Sequence, residues 1–225
     1  MPRSARNDNK RRTAHETITT RIMIDANTVA SLRAMTGAGI VECKKALEEA
    51  SGDMQKAIEV LRKSGAAKAA KKSAERQTAE GLVHAYVHSN EKVGAMVELQ
   101  CETDFVARTQ DFKTLAHDIA MQVAATDPVW VSPETIPAGE VEKVRAEFIA
   151  DPDLASKPDD IRAKIVEGRL NKWYAEVTLM KQPWVKDDTK TIEQLVNENI
   201  ATMGEKIMVS RFCRFQLNAT LSVCE

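Results

Sequence analysis

Thr36-Gly37-Ala38-Gly39 has the small residues of a phosphate-binding loop, where glycine lets backbone amides approach an anion. A working loop of that kind follows a strand and runs into Lys-Ser or Lys-Thr. Here Ile40 and Val41 follow and no strand pattern precedes, so the run reads as a tight turn between helices. Cys43, Cys101, Cys213 and Cys224 lie far apart, form no C-x-x-C pair and do not cluster with histidine. This argues against a zinc site or disulfide framework and for a reducing compartment, with Cys43 and Cys101 as small core residues. His117, a lone histidine beside an apolar helix face, reads as a packed or interface residue rather than a ligand. G-x-S-x-G, H-E-x-x-H, kinase and Rossmann patterns are absent, and no Ser, His and Asp set follows from order alone. The residues favour a binding protein over an enzyme and imply no cofactor and no metal.

One run fits no core pattern. Thr103-Asp104-Phe105-Val106 lies between an alternating strand that ends at Glu102 and a helix that begins at Gln110. A loop phenylalanine beside an aspartate is a candidate interface anchor, because an aromatic at an interface centre carries much of the binding energy. It serves equally as a cap on the core beneath the hairpin, and pattern alone leaves the two readings level.

The elements that position these residues follow from periodicity. Residues 24–64 read as three short helices. Val29 and Leu32 mark the first, Ile40, Cys43, Leu47 and Ala50 share a side of the second, and Met54, Ala57, Ile58 and Leu61 line the third, capped by Asp53. Gly37, Gly39 and Gly52 break the chain between them. Residues 65–80 read as a solvated, Ala- and Lys-rich linker helix with Lys68, Lys71, Lys72 and Arg76 on one face. That stripe admits an RNA-binding reading, but no aromatic residues interleave with the charges as a stacking surface needs.

Residues 81–218 read as an α+β core, a small antiparallel sheet packed by helices. Val83, Ala85 and Val87 alternate, then Val93, Ala95, Val97, Leu99 and Cys101, with a turn at Ser89-Asn90 that makes the two a hairpin. Residues 110–125 form an amphipathic helix burying Phe112, Leu115, Ala116, Ile119, Ala120 and Val123. Pro-rich residues 126–160 read as loop with one short helix. Helices follow over 159–179 and 191–203, then a last strand over 207–217 with imperfect alternation.

The net charge of −1 sets up no global field toward nucleic acid or anionic lipid, and no apolar stretch reaches the ~20 residues of a membrane span. Residues 1–23 read as a basic disordered tail, and residues 219–225 as a C-terminal tail. The basic tail has the low acidity of an organelle transit peptide but lacks its apolar face. The expected location is the cytoplasm, with an organelle stroma or matrix as the alternative.

Several ordered segments carry a family resemblance. Thr36-Gly-Ala-Gly-Ile-Val-Glu-Cys-Lys-Lys-Ala-Leu47, Ser51-Gly52-Asp53 with the helix through Lys63, and Cys101-Glu-Thr-Asp-Phe-Val-Ala-Arg108 resemble the signatures of elongation factor Ts, as do segments at 164–170, 182–187 and 211–215. The resemblance implies the family's compact form, with an N-terminal ubiquitin-associated-like (UBA-like) three-helix domain over 24–64. It implies a guanine-nucleotide exchange factor for elongation factor Tu (EF-Tu), in its GDP-bound and nucleotide-free states, with no covalent chemistry, nucleic acid or membrane needed; a homodimer stays open. By position, Arg33, Ile40, Val41 and Lys44 would dock on the GTPase domain, Ile40 and Val41 standing where the family often has two methionines. Thr103, Asp104, Phe105 and Val106 would contact the partner as well, with Asp104 and Phe105 as the wedge that enters near the magnesium and phosphate site.

Overall fold

The computed structural model describes residues 24–154 and 157–219. The basic tail, Cys224 and the side chains of Lys68, Lys71 and Lys72 lie outside the described residues.

The described residues begin with three helices: α1 (Ala26–Thr36), α2 (Ile40–Glu49) and α3 (Met54–Glu75). Leu32, Cys43, Ala46, Leu47, Ala50 and Ala57 make their small shared core. Asp53 starts α3, its carboxylate accepting from the amides of Gln55 and Lys56 at 3.0 and 3.1 Å. The third helix and the linker helix are one continuous element, because the Ala- and Lys-rich run after Lys63 offers no breaker strong enough to stop propagation.

The core continues with strands β1 (Glu80–Val87) and β2 (Val93–Cys101), the single turn α4 (Asp104–Ala107) and helix α5 (Gln110–Thr126). Next come α6 (Ala138–Ile149), α7 (Asp159–Val177), the short strands β3 (Pro183–Trp184) and β4 (Asp187–Thr191), helix α8 (Ile192–Met203) and strand β5 (Ile207–Gln216). The main sheet is antiparallel in the order β1-β2-β5, and β3 pairs with β4. The class is therefore α+β, as the sequence predicts.

One face of the sheet is covered. Ala95, Val97, Leu99, Cys101, Ile207 and Val209 pack with Phe112, Leu115, Ile119 and Val123 of α5 and with Ile192, Val196 and Ile200 of α8. The covered side of β1 is Leu82, His84 and Tyr86, whereas Val83 and Val87 are exposed. The imperfect alternation of β5 has a local cause. Its register on β2 steps over Ser210, pairing Arg211 with Glu98 and Val209 with Leu99, and the bulge turns the later residues by one. Phe212 and Arg214 therefore take the inner side, where Arg214 Nε donates to the Ala124 carbonyl at 3.0 Å.

The Pro-rich region holds α6 and two 3-10 turns, Pro133–Thr135 and Pro152–Leu154. It packs on α7 around Leu154, Val166 and Leu170, apart from the main core. The helical module rests on α8: α3 lies along it, Arg62 faces Glu198 at 3.7 Å, and a cleft of about 420 Å³ between them is lined by residues such as Thr36, Leu61, Lys190 and Thr202.

Candidate partner-docking site

Two exposed apolar features stand out, and both sit on turns whose backbone is well anchored. The first is the turn after α1. Gly37 closes that helix with φ +67°, and its amide donates to the Arg33 carbonyl at 2.8 Å. Thr36 Oγ1 donates to the Leu32 carbonyl at 2.7 Å, and Cys43 Sγ sits 3.6 Å from the Ala38 carbonyl oxygen. A side chain added at Gly37 would meet Thr202 Oγ1 of α8 at 3.3 Å, so this turn lies against the core.

On this support Met35, Ile40 and Val41 are 63%, 57% and 66% exposed, with Arg33 and Lys44 exposed around them. The buried side of α2 is Cys43, Ala46, Leu47 and Ala50. Ile40 does not join it: at the first residue of the helix it lies beyond the neighbouring helices that cover the rest. Met35 was not among the residues singled out from the sequence, although a large apolar residue directly before the turn that no apolar face claims is the signal that could find it. Among the described residues Lys44 pairs with Glu48 alone, at 4.0 Å and in solvent, a weak pairing that leaves its charge available to a partner.

The second feature is the turn between β2 and α5. Thr103 caps α4, its hydroxyl oxygen accepting from the Val106 amide. The same hydroxyl donates to Glu205 Oε1 at 2.7 Å, and the Thr103 amide donates to Glu205 Oε2 at 3.0 Å. Glu102 is held as firmly, accepting from Arg76 through both oxygens at 3.0 and 3.1 Å and from the Lys206 amide at 2.6 Å. Beneath them Cys101 is fully buried and donates to the Thr103 carbonyl at 3.1 Å. Burial, with the Glu205 carboxylate adding to it, pushes its thiol up to about 11, so it stays neutral and unreactive at ordinary pH.

Phe105 leaves this platform 80% exposed, while its neighbours Val106 and Ala107 pack into the core. Of the two readings left open, burial disfavours the core cap: among the described residues Phe105 is not packed into the core. Asp104 points out beside it and pairs with Arg108 at 2.9 Å. Glu205 is the support that sequence reading missed, and 102 residues of separation hide any such pairing from a one-dimensional pattern.

The arrangement contains no converging nucleophile, base and anion hole; it presents protruding apolar groups on stiff backbone, which suits recognition. The family model for elongation factor Ts matches residues 4–219. The chain belongs to the elongation factor Ts family. Among related elongation factors Ts, that of Oleidesulfovibrio alaskensis is 52% identical over 196 residues, 87% of this chain and 98% of the relative. That of Thermotoga maritima is 51% identical over 194 residues, covering 86% and 96%. That of a Synechococcus strain is 53% identical over 195 residues, which cover 86% of this chain and only 69% of the longer relative. The chain thus matches the shorter relatives nearly end to end, and it is a translation elongation factor. No helix among its described residues is long and apolar enough to cross a membrane.

Proposed function

We propose that this protein is the nucleotide-exchange factor of EF-Tu, acting without covalent chemistry in the cytoplasm. It binds EF-Tu·GDP, drives out the nucleotide and is displaced by GTP. The observation that carries the reading is Phe105, four-fifths exposed on a turn that Glu205 and Arg76 hold rigid. A large apolar side chain held out of its own core gains about 1.5–3 kcal/mol when a partner buries it.

The helical module, as a UBA-like domain, docks through Met35, Ile40 and Val41, with Arg33 and Lys44 steering toward an acidic rim. Docking brings Thr103, Asp104, Phe105 and Val106 to the partner's nucleotide site. There Phe105 presses between elements that order Mg²⁺ and the phosphate loop, and Asp104 exchanges Arg108 for polar groups of the partner. GDP held by amides and a metal clamp loses both. The coupling is reciprocal, so bound nucleotide weakens the factor as much as the factor weakens nucleotide. A thousandfold effect needs about 4 kcal/mol, within reach of one loosened metal and one inserted aromatic. Release of a fluorescent GDP from EF-Tu, timed with and without this protein, tests the reading; unchanged release at saturating protein overturns it.

A second copy of the chain is the further partner we infer. The outer face of the sheet exposes Val83, Val87, Met96, Met208 and Phe215. The charges among them cancel, Arg211 Nε donating to Glu98 at 2.7 Å, so the face has no charge preference and suits its own copy. Sedimentation should give a dimer that Phe215→Glu dissociates; a wild-type monomer at high concentration overturns this.

A further inference from the structure

Histidines far apart in sequence meet where β1 packs on α5. His84 Nε2 and His117 Nδ1 are 3.2 Å apart, and their ring planes cross at 80°. Tyr86 sets its ring edge-on to His117 at 5.4 Å and its hydroxyl 2.9 Å from His88 Nδ1. His84 is half-buried and His117 exposed, so the pair opens to solvent while Tyr86 fixes the His117 ring.

We propose that His84 and His117 form a two-histidine chelate for a hydrated divalent transition cation of the zinc type. The two ring nitrogens lie at hydrogen-bond distance, 3.2 Å, so one of them carries the proton between them, and a cation that displaces this proton would be held by both lone pairs. A cation at Zn–N distances of about 2.05 Å from both nitrogens would subtend about 103°, close to the tetrahedral angle. At the same bond length the right angle of a square-planar ion would need about 2.9 Å, so the wider separation suits the tetrahedral ion better. Perpendicular ring planes allow both lone pairs to reach one point. Among the described residues no third His, Cys, Asp or Glu completes such a group, so water fills the remaining positions. The cation is exchangeable and binds more weakly than in a four-ligand structural site. It ties the edge strand β1 to α5 and acts on neither docking turn.

The test uses the full chain with Zn²⁺ and Co²⁺ as probes. Zn²⁺ should bind and raise the melting temperature. Co²⁺ should give the intense visible bands of tetrahedral coordination and shift the ring-proton signals of His84 and His117. His84→Gln and His117→Gln, each shown folded by circular dichroism, should each lose about tenfold or more in affinity, at least the loss that removing even an outer partner causes at metal sites. The cobalt bands should disappear with them. His88→Gln should bind as wild type does. Unshifted His84 and His117 signals at millimolar metal would reduce the pair to a shared hydrogen bond and overturn the site. Equal Zn²⁺ affinity in wild type and both glutamine variants would place the cation elsewhere, with the same result.

Discussion

Thr103 and Glu205 are joined by two hydrogen bonds, through the Thr103 hydroxyl at 2.7 Å and its amide at 3.0 Å. Glu205 follows Gly204, which ends α8 with φ +82°. Three residues earlier Thr202 lies against the Gly37 turn of the helical module. The end of α8 therefore supports both exposed turns at once, although Gly37 and Thr103 are far from it and from each other in sequence. Under the proposed docking, this shared support would let one rigid partner meet both turns.

Glu205→Ala removes the acceptor and leaves the Thr103 amide and hydroxyl to find water. The expected cost is about 1–3 kcal/mol in urea unfolding, since both bonds are to a charged group. Cys101 offers a second readout in the folded variant. Glu205 adds to the burial that holds its thiol near 11, so its titration should move down while remaining well above that of a free thiol. A thiol titration and stability both equal to wild type would mean that the pair holds nothing in place.

Ile40→Asp combined with Val41→Asp places charge on exposed positions, so fold stability should change by about 0.5 kcal/mol or less. Affinity for EF-Tu, measured by calorimetry, should fall about tenfold to a hundredfold if these residues are buried on docking. Met35→Ser should act in the same direction. Full affinity in the double variant would move the docking surface elsewhere.

His84 titrates below its ordinary value, first because burial disfavours the charged ring and then because His117 stands beside it. The unfolded chain therefore takes up a proton near pH 6.5 before the folded one does. Stability from this group is present above that pH and is lost as pH falls through the lower folded value. Metal-free His84→Gln should flatten the stability profile below pH 6.5. Unchanged curvature in that interval would rule His84 out as its source.

The sequence made helices and strands legible because burial repeats with their own periods. Phe112, Leu115, Ile119 and Val123 mark α5, and Val97, Leu99 and Cys101 mark β2. Period did not tell which side of β1 was covered. Both sides carry apolar residues there, and Val83 and Val87 lie on the sheet face that no element among the described residues covers. Ile40 fitted the apolar side of α2 by spacing, yet the first turn extends past its neighbours, and only packing reveals that. Exposure of Phe105 and the contact of His84 with His117 depend on elements brought together by the fold, so no local pattern contains them.

Phe105→Ala separates wedge from dock. A buried phenylalanine costs about 3–5 kcal/mol when cut to alanine, but this side chain is largely in solvent, so the variant should keep its stability to within about 0.5 kcal/mol. Binding should persist through the helical module. The maximal rate of GDP release should drop about tenfold or more, the rate equivalent of about 1.5–3 kcal/mol of aromatic burial. Asp104→Ala should slow release less, because Arg108 already competes for that carboxylate at 2.9 Å. Arg108→Ala frees Asp104 and should keep release at least as fast as wild type. Mg²⁺ supplies an independent arm: a chelator should speed spontaneous release and narrow the gap between wild type and Phe105→Ala, since both then act on a site whose metal clamp is gone. Stopped-flow release of fluorescent GDP at saturating factor decides the matter. Equal maximal rates for wild type and Phe105→Ala would remove Phe105 from the exchange step and leave its exposure to be explained by docking alone.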